Sequence, residues 1–179
     1  MRQALRLHPD SRCAAATRIE VDVTRPRDGG LVLSYVVTGR IGGLRLPPVM
    51  ASARAYELWR HTCFEAFVRA SPGEAYYELN IAPSTQWAAY RFDGYRSGMR
   101  VAAEIAAPRI EVQSTAERYM LQAALQLDEL SGLPSNSGWR LGLAAVIEET
   151  DGNKSYWALA HPAGKPDFHH ADGFAYDLS

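Results

Sequence analysis

The stretch from Leu58 to Tyr95, LWRHTCFEAFVRASPGEAYYELNIAPSTQWAAYRFDGY, constrains the fold more than any other part of the chain. It holds three runs of strand-forming residues separated by two groups of turn formers, Ser71-Pro72-Gly73-Glu74 and Ala82-Pro83-Ser84-Thr85. Side chains along a strand point alternately to opposite faces, so the centre of each turn decides which residues share a face. Centring the first hairpin on Pro72-Gly73 sets Phe64 opposite Ile81, Ala66 opposite Leu79 and Val68 opposite Tyr77, an apolar face suited to a core. The other face pairs Glu65 with Asn80, Phe67 with Glu78 and Arg69 with Tyr76. Centring the second hairpin on Pro83-Ser84 predicts Trp87 opposite Asn80 and Arg91 opposite Tyr76. A carboxylate, an amide and an indole then stand in one row, Glu65, Asn80 and Trp87, which suits a hydroxyl-rich ligand. The same face also suits the solvated outside of a sandwich.

The flanking sequence supplies partners for these strands. Residues 3–8 alternate as a short edge strand, and 17–24 place Ile19, Val21 and Val23 on one face. A hairpin loop over Arg25 to Gly30 returns the chain into LVLSYVVTG. Gly39 to Met50, broken by Gly42-Gly43 and Pro47-Pro48, reads as irregular, and 51–58 as one or two helical turns leading to Trp59. VAAEIAAP (101–108) reads equally as strand or helix, 109–114 as a strand, and 117–127 as a strand with helix as the competing reading. After a loop at Leu133 to Gly138 come a long strand at 139–150, an Asp151-Gly152 turn, a strand at 154–161 and a short strand at Phe174 to Leu178. Short alternating segments without long helices predict an all-β, antiparallel sandwich, and 179 residues predict one domain over 1–179.

A net charge of −1 argues against a nucleic-acid binder driven by bulk electrostatics. No apolar run approaches signal-peptide or membrane-span length, so the chain reads as cytoplasmic, with no membrane partner. Cys13 and Cys63 are the two cysteines and belong to no CxxC pattern, which argues against a disulfide framework and covalent haem attachment. Phosphate-loop, dinucleotide, serine-hydrolase and HExxH motifs are absent, and nothing in the sequence sets Ser84 and His61 as nucleophile and base.

Among the four tryptophans, Trp139 falls in phase with Leu141, Leu143 and Ile147 and reads as core; Trp59, Trp87 and Trp157 are candidate stacking platforms. Glu65 and Asn80 either share a ligand hydroxyl or bond each other across the strands. Glu65 and Glu78 are diagonal neighbours, a spacing that glycoside hydrolysis requires and that solvated strand carboxylates also produce. In HPAGKPDFHHAD, His161, His169, His170, Asp167 and Asp172 could hold a metal, yet adjacent histidines on an extended chain point opposite ways. The better reading has this tail fold over one end of the sandwich and bring Lys165 and a histidine to the rim as donors.

Two strings carry a family resemblance: W-x-x-T-C-x-E-x-F from Trp59 to Phe67, and Y-x-E-x-N-x-x-P-x-x-x-W from the Tyr76-Tyr77 pair to Trp87. With SYWALAHPAGKPDFHH downstream, the chain from about Gly29 onward resembles a bacterial DOMON-like ligand-binding domain of the MurB-like branch, related to family nine carbohydrate-binding modules. The resemblance implies an immunoglobulin-like β-sandwich that binds a sugar or a haem and is not itself catalytic. Haem-holding relatives use an axial Met with a His or Lys, which brings Met50, Met99, His161 and Lys165 into consideration; sugar-binding relatives stack tryptophan beside polar groups. Lack of an export signal weighs against haem. The reading is of a small-molecule binding module, a carbohydrate its first ligand class, with a b-type haem module or a protein-interaction domain as alternatives. Candidate ligand-binding residues are Trp59, His61, Glu65, Glu78, Asn80, Trp87, Arg91, Trp157, His161 and Lys165, with no catalytic residue and no metal ligand assigned.

Overall fold

A computed structural model of the chain describes residues 2–26, 30–127, 130–134 and 137–178. Parts of two expected loops, residues 27–29 and 135–136, lie outside the described residues. The strands in chain order are β1 (Arg2–Leu7), β2 (Ala16–Thr24), β3 (Gly30–Gly39), β4 (Cys63–Ser71), β5 (Tyr76–Ile81), β6 (Trp87–Phe92), β7 (Arg100–Val101), β8 (Arg109–Ser114), β9 (Arg118–Gln126), β10 (Gly138–Glu148), β11 (Lys154–Ala158) and β12 (Tyr176–Leu178). Helix is confined, among the described residues, to single 3₁₀ turns such as Leu58–Arg60. None of these is long and apolar enough to cross a membrane.

All strand pairs are antiparallel and follow one path, β7-β6-β5-β4-β10-β11-β1-β2-β3-β9-β8, with β12 on β10 beside it. The path curls, so its two halves face each other. β1 joins them: Arg2 to Leu5 pair with β2, while Arg6 and Leu7 pair with β11. It is therefore an inner strand, not the edge strand its short alternation suggests. The ambiguous 117–127 segment is strand, because Tyr119, Leu121, Ala123 and Leu125 must all reach one core from a half-exposed sheet. No helix forms at 51–57; that segment is extended, and Ala53 and Ala55 bond the backbone of Trp87 on either side.

One core fills the space between the halves. Val21, Leu33, Tyr35 and Leu121 from one half meet Phe64, Ala66, Val68, Leu79, Leu143 and Ile147 from the other. Rings interlock across the gap: Tyr35 lies 5.0 Å from Phe64, and Tyr119 stacks on Phe64 at 6.0 Å. The Tyr35 hydroxyl donates to the Glu65 carbonyl at 2.7 Å, in a place closed to water. Tyr35→Phe removes this bond and is expected to cost about 1 kcal/mol, read as a lower urea midpoint at unchanged slope. An unchanged midpoint would remove this bond from the account of how the halves are held.

Registers in the Leu58–Tyr95 stretch divide into one as expected and one displaced. β4 and β5 pair Phe64 with Ile81, Glu65 with Asn80, Ala66 with Leu79, Phe67 with Glu78 and Val68 with Tyr77, as the Pro72-Gly73 turn predicts. β5 and β6 are offset by one residue from the expectation: Ile81 pairs with Trp87, Asn80 with Ala88, Tyr77 with Arg91 and Tyr76 with Phe92. The loop is the cause. Ala82 bonds Gln86, so three residues, Pro83, Ser84 and Thr85, make the turn instead of two. Thr85 takes the left-handed conformation at φ 69°, and its hydroxyl donates to the Met50 carbonyl at 2.7 Å. One extra residue turns every β6 side chain to the other face. Trp87 goes into the core, 3% exposed, beneath the Arg54 guanidinium at 4.1 Å.

Candidate functional site

The face of β4, β5, β6, β10 and β11 that points away from the core is not bare. Cys63, Glu65 and Phe67 of β4 lie on it, and all three are buried. The segment after β11 doubles back across it and covers it with rings. Phe174 packs edge-on to Tyr76 at 5.5 Å, and His169 does so to Phe67 and Phe92, each at 5.1 Å. Gly142 on β10 eases this approach, since a Cβ there would stand 3.1 Å from the Gly173 carbonyl oxygen and the tail would have to give by a few tenths of an ångström. The tail thus lies over the sheet face, where the sequence suggested one end of the sandwich.

Between this tail, the Leu58–Arg60 turn and the loop after β6 is a cavity of about 410 Å³, within the range of small-molecule sites. Its floor is Glu65 of β4, Glu78 of β5, Phe92 of β6, Val146 of β10 and Tyr156 of β11. Trp59, Arg96, Met99, Pro166, Phe168 and His169 form the walls. Trp59 is 38% exposed and meets Tyr90 edge-on at 6.1 Å, leaving ring surface toward the opening.

Polar groups on the floor are held by one another. Asn80, fully buried, donates from Nδ2 to Glu78 Oε1 at 2.7 Å. Glu65 is 3% exposed, and its Oε1 has no hydrogen-bond partner. Burial, and then the neighbouring Glu78, push the Glu65 carboxyl well above the usual range. Burial likewise raises Glu78 to about 7, against the Asn80 bond and the Arg96 charge, which favour its ionised form. On the wall, the Arg96 amide donates to the Tyr76 hydroxyl at 3.3 Å, and that hydroxyl lies 2.8 Å from His169 Nδ1. With the hydroxyl donating to Nδ1, the imidazole proton lies on Nε2, 3.8 Å from Glu78 Oε2. Burial, aided by Arg96, lowers His169 to about 4, so it is neutral near pH 7. Asp167 closes the rim, accepting from Arg96 at 2.8 Å, Tyr95 at 2.5 Å and the His169 amide at 3.1 Å. Burial alone would raise Asp167, but these bonds outweigh it and hold the carboxyl below its usual range.

Of the sequence candidates, Trp59, Glu65 and Glu78 line the cavity, and Asn80 supports Glu78 from below. The others lie elsewhere. Trp87 faces the core, and Arg91 goes with it, 5.6 Å over the Tyr77 ring. Trp157 is a core residue whose indole donates to Ser155 at 3.0 Å. His61 is exposed and lies 2.7 Å from Glu148; His161 meets the Arg6 carbonyl at 2.8 Å; Lys165 is exposed, outside the lining. Among the haem-ligand candidates Met50, Met99, His161 and Lys165, Met99 alone lines the cavity. His169 is there too, but Nδ1 is tied to Tyr76 and Nε2 is turned to Glu78, so an axial pair does not fit. No group of three metal-ligating side chains occurs among the described residues, and His170, beside His169, turns away toward Tyr95. Phe92, Arg96, Tyr156, Phe168 and His169 are lining residues that strand pairing alone did not assign. A signal was present: Phe67 and Tyr76 are aromatics on a face read as polar, and such rings demand a cover.

No family model matches the chain, and no curated protein does. Similarity appears among solved structures. A candidate carbohydrate-binding protein from Bacteroides uniformis is similar over 99% of this chain and 85% of its own, with a TM-score of 0.67 and 14% identity. A family 9 carbohydrate-binding module from Caldicellulosiruptor kristjanssonii, in complex with cellotriose, is similar over 92% of this chain and 74% of its own, with a TM-score of 0.50 and 13% identity. The same module in complex with glucose gives a TM-score of 0.50 over 97% of this chain and 83% of its own. The likeness is one of fold: the chain has a sandwich-like, carbohydrate-binding-module-like architecture.

Proposed function

We propose that this chain is a non-catalytic, DOMON-like sugar-binding module of immunoglobulin-like kind, acting as one domain, whose ligand enters the cavity over Glu65 and Glu78. The observation that carries the reading is the buried, unpartnered Glu65 oxygen on the floor of a cavity walled by aromatic rings. Leaving a buried polar atom unpaired costs about 1–3 kcal/mol, and a turn of the Glu65 carboxyl toward a ligand hydroxyl would recover it. Aromatic walls and convergent polar groups are what a sugar ring needs, apolar faces against rings and hydroxyls in the floor. Solved structures of similar fold include one with cellotriose and one with glucose, which supports the same ligand class.

Calorimetric titration with a panel of monosaccharides and short oligosaccharides tests the reading. Trp59→Ala is expected to weaken the best ligand about tenfold, through loss of one stacking wall. Because Trp59 is partly exposed, the stability change should stay below about 1 kcal/mol. A panel in which no saccharide binds would sink the proposal.

A further inference from the structure

The cavity floor holds two acids and no cation. Glu65 and Glu78 project from adjacent strands on the same face at diagonal positions, with Cβ atoms about 7 Å apart or less. Among the described residues, no lysine or arginine lies within ion-pairing distance of either. Arg96 is at the wall, but its guanidinium is paired with Asp167 on the rim. His169, the other basic group facing them, is kept neutral by burial. Asn80 satisfies one oxygen of Glu78, and one oxygen of Glu65 has nothing.

Two buried carboxyls offset only at a distance by Arg96, itself already paired with Asp167, are costly unless a cation arrives or a proton stays. A metal ion would need further ligands, and no third acid, histidine or cysteine completes a set among the described residues. An organic cation meets the same walls differently. Trp59, Phe92, Tyr156 and Phe168 surround the floor, and ring faces attract an ammonium through the negative side of the aromatic quadrupole.

We propose, on the basis of the sugar-binding reading above, that the preferred ligand is an amino sugar whose protonated amine sits between Glu65 and Glu78 under the aromatic walls. The amine donates to the Glu65 carboxylate, which turns to meet it, and to Glu78. Anionic sugars gain no such partner, because the floor offers them no free cation: Arg96 is already paired with Asp167.

Titration of the intact protein with glucosamine, glucose, N-acetylglucosamine and choline separates the possibilities. Glucosamine is expected to bind about tenfold to a hundredfold more tightly than glucose or N-acetylglucosamine, the gain of a charge-assisted bond over a neutral one. Glu65→Gln should erase that preference, and the wild-type comparison stands even if the variant folds poorly. Glucose or N-acetylglucosamine binding as tightly as glucosamine overturns the amino-sugar inference and spares the sugar-binding reading. Choline binding without any sugar overturns both, as does a protein that takes none of the four.

Discussion

Trp87→Ala is expected to lower the folding free energy by about 3–5 kcal/mol while leaving the sugar affinity of the folded protein unchanged. The indole is 3% exposed in the core between the two halves, and the Arg54 guanidinium lies 4.1 Å above its ring. That guanidinium in turn donates to the carbonyls of Ala102 and Ile105, at 2.9 and 2.5 Å, which fastens the segment after β7 to β6. Removing the ring therefore opens a cavity and takes away the surface on which Arg54 rests. The side chain contributes nothing to the cavity lining, so binding should survive at temperatures where the variant is folded. Urea denaturation gives the first quantity and calorimetry the second. A variant that keeps its stability to within about 1 kcal/mol and loses affinity would put Trp87 back on the ligand face.

The contrast between Trp87 and Trp59 shows where sequence reasoning reached its limit. Hydrophobic alternation and turn formers made most of the antiparallel strands legible, leaving 117–127 open to helix and β7 unread, and the Pro72-Gly73 turn made the β4 and β5 pairing legible residue by residue. That pairing placed Glu65, Glu78 and Asn80 together on the face that carries the cavity. The β6 register failed by one residue, and the reason lay in the turn itself. A two-residue hairpin turn requires positive φ at its first central position, which proline cannot adopt. Pro83 at that position was therefore an argument against a two-residue turn; Pro72 stands at the same place in the first hairpin, where the β4 and β5 pairs end at Val68 and Tyr77 and the longer connection over 69–76 keeps the symmetric register. In the second hairpin the left-handed residue is Thr85, at φ 69°, without the glycine that would have marked it. The tail was illegible for a different cause. Residues 159–175 have no periodicity to read, and their position is set by contacts distant in sequence, such as Phe174 on Tyr76 and Gly173 against Gly142. The bare outer face suggested by alternation is accordingly a roofed one, and His169 reaches the site by a route no strand pattern encodes.

Without ligand, stability is expected to fall as pH rises from 6.5 to 8, and the buried floor is the reason. Glu78 ionises near pH 4.5 in the unfolded chain and at about 7 in the folded one, because burial disfavours its charge. A carboxyl raised in this way stabilises the native state fully below 4.5 and loses that contribution as pH climbs through 7. Glu65 acts in the same direction. His169 acts in the opposite one, since burial lowers it from 6.5 to about 4; its contribution is complete above 6.5 and is lost as pH falls toward 4. Between about 4.5 and 6.5 the slopes from Glu78 and His169 oppose each other and largely cancel, one running upward from 4.5 and the other downward from 6.5. Above 6.5 only the carboxyls remain, and Glu78 alone then gives up about 1 kcal/mol. Taking away the opposing group uncovers the rest. In His169→Gln the decline should begin near pH 5 and reach about 3 kcal/mol by pH 8. Glu65→Gln with Glu78→Gln should abolish the decline above 6.5. Denaturation midpoints measured at half-unit pH steps on the three proteins decide the matter: a wild-type curve flat from 6.5 to 8, or a decline that persists in the double variant, would mean that the two carboxyls are not held as neutral acids on the cavity floor.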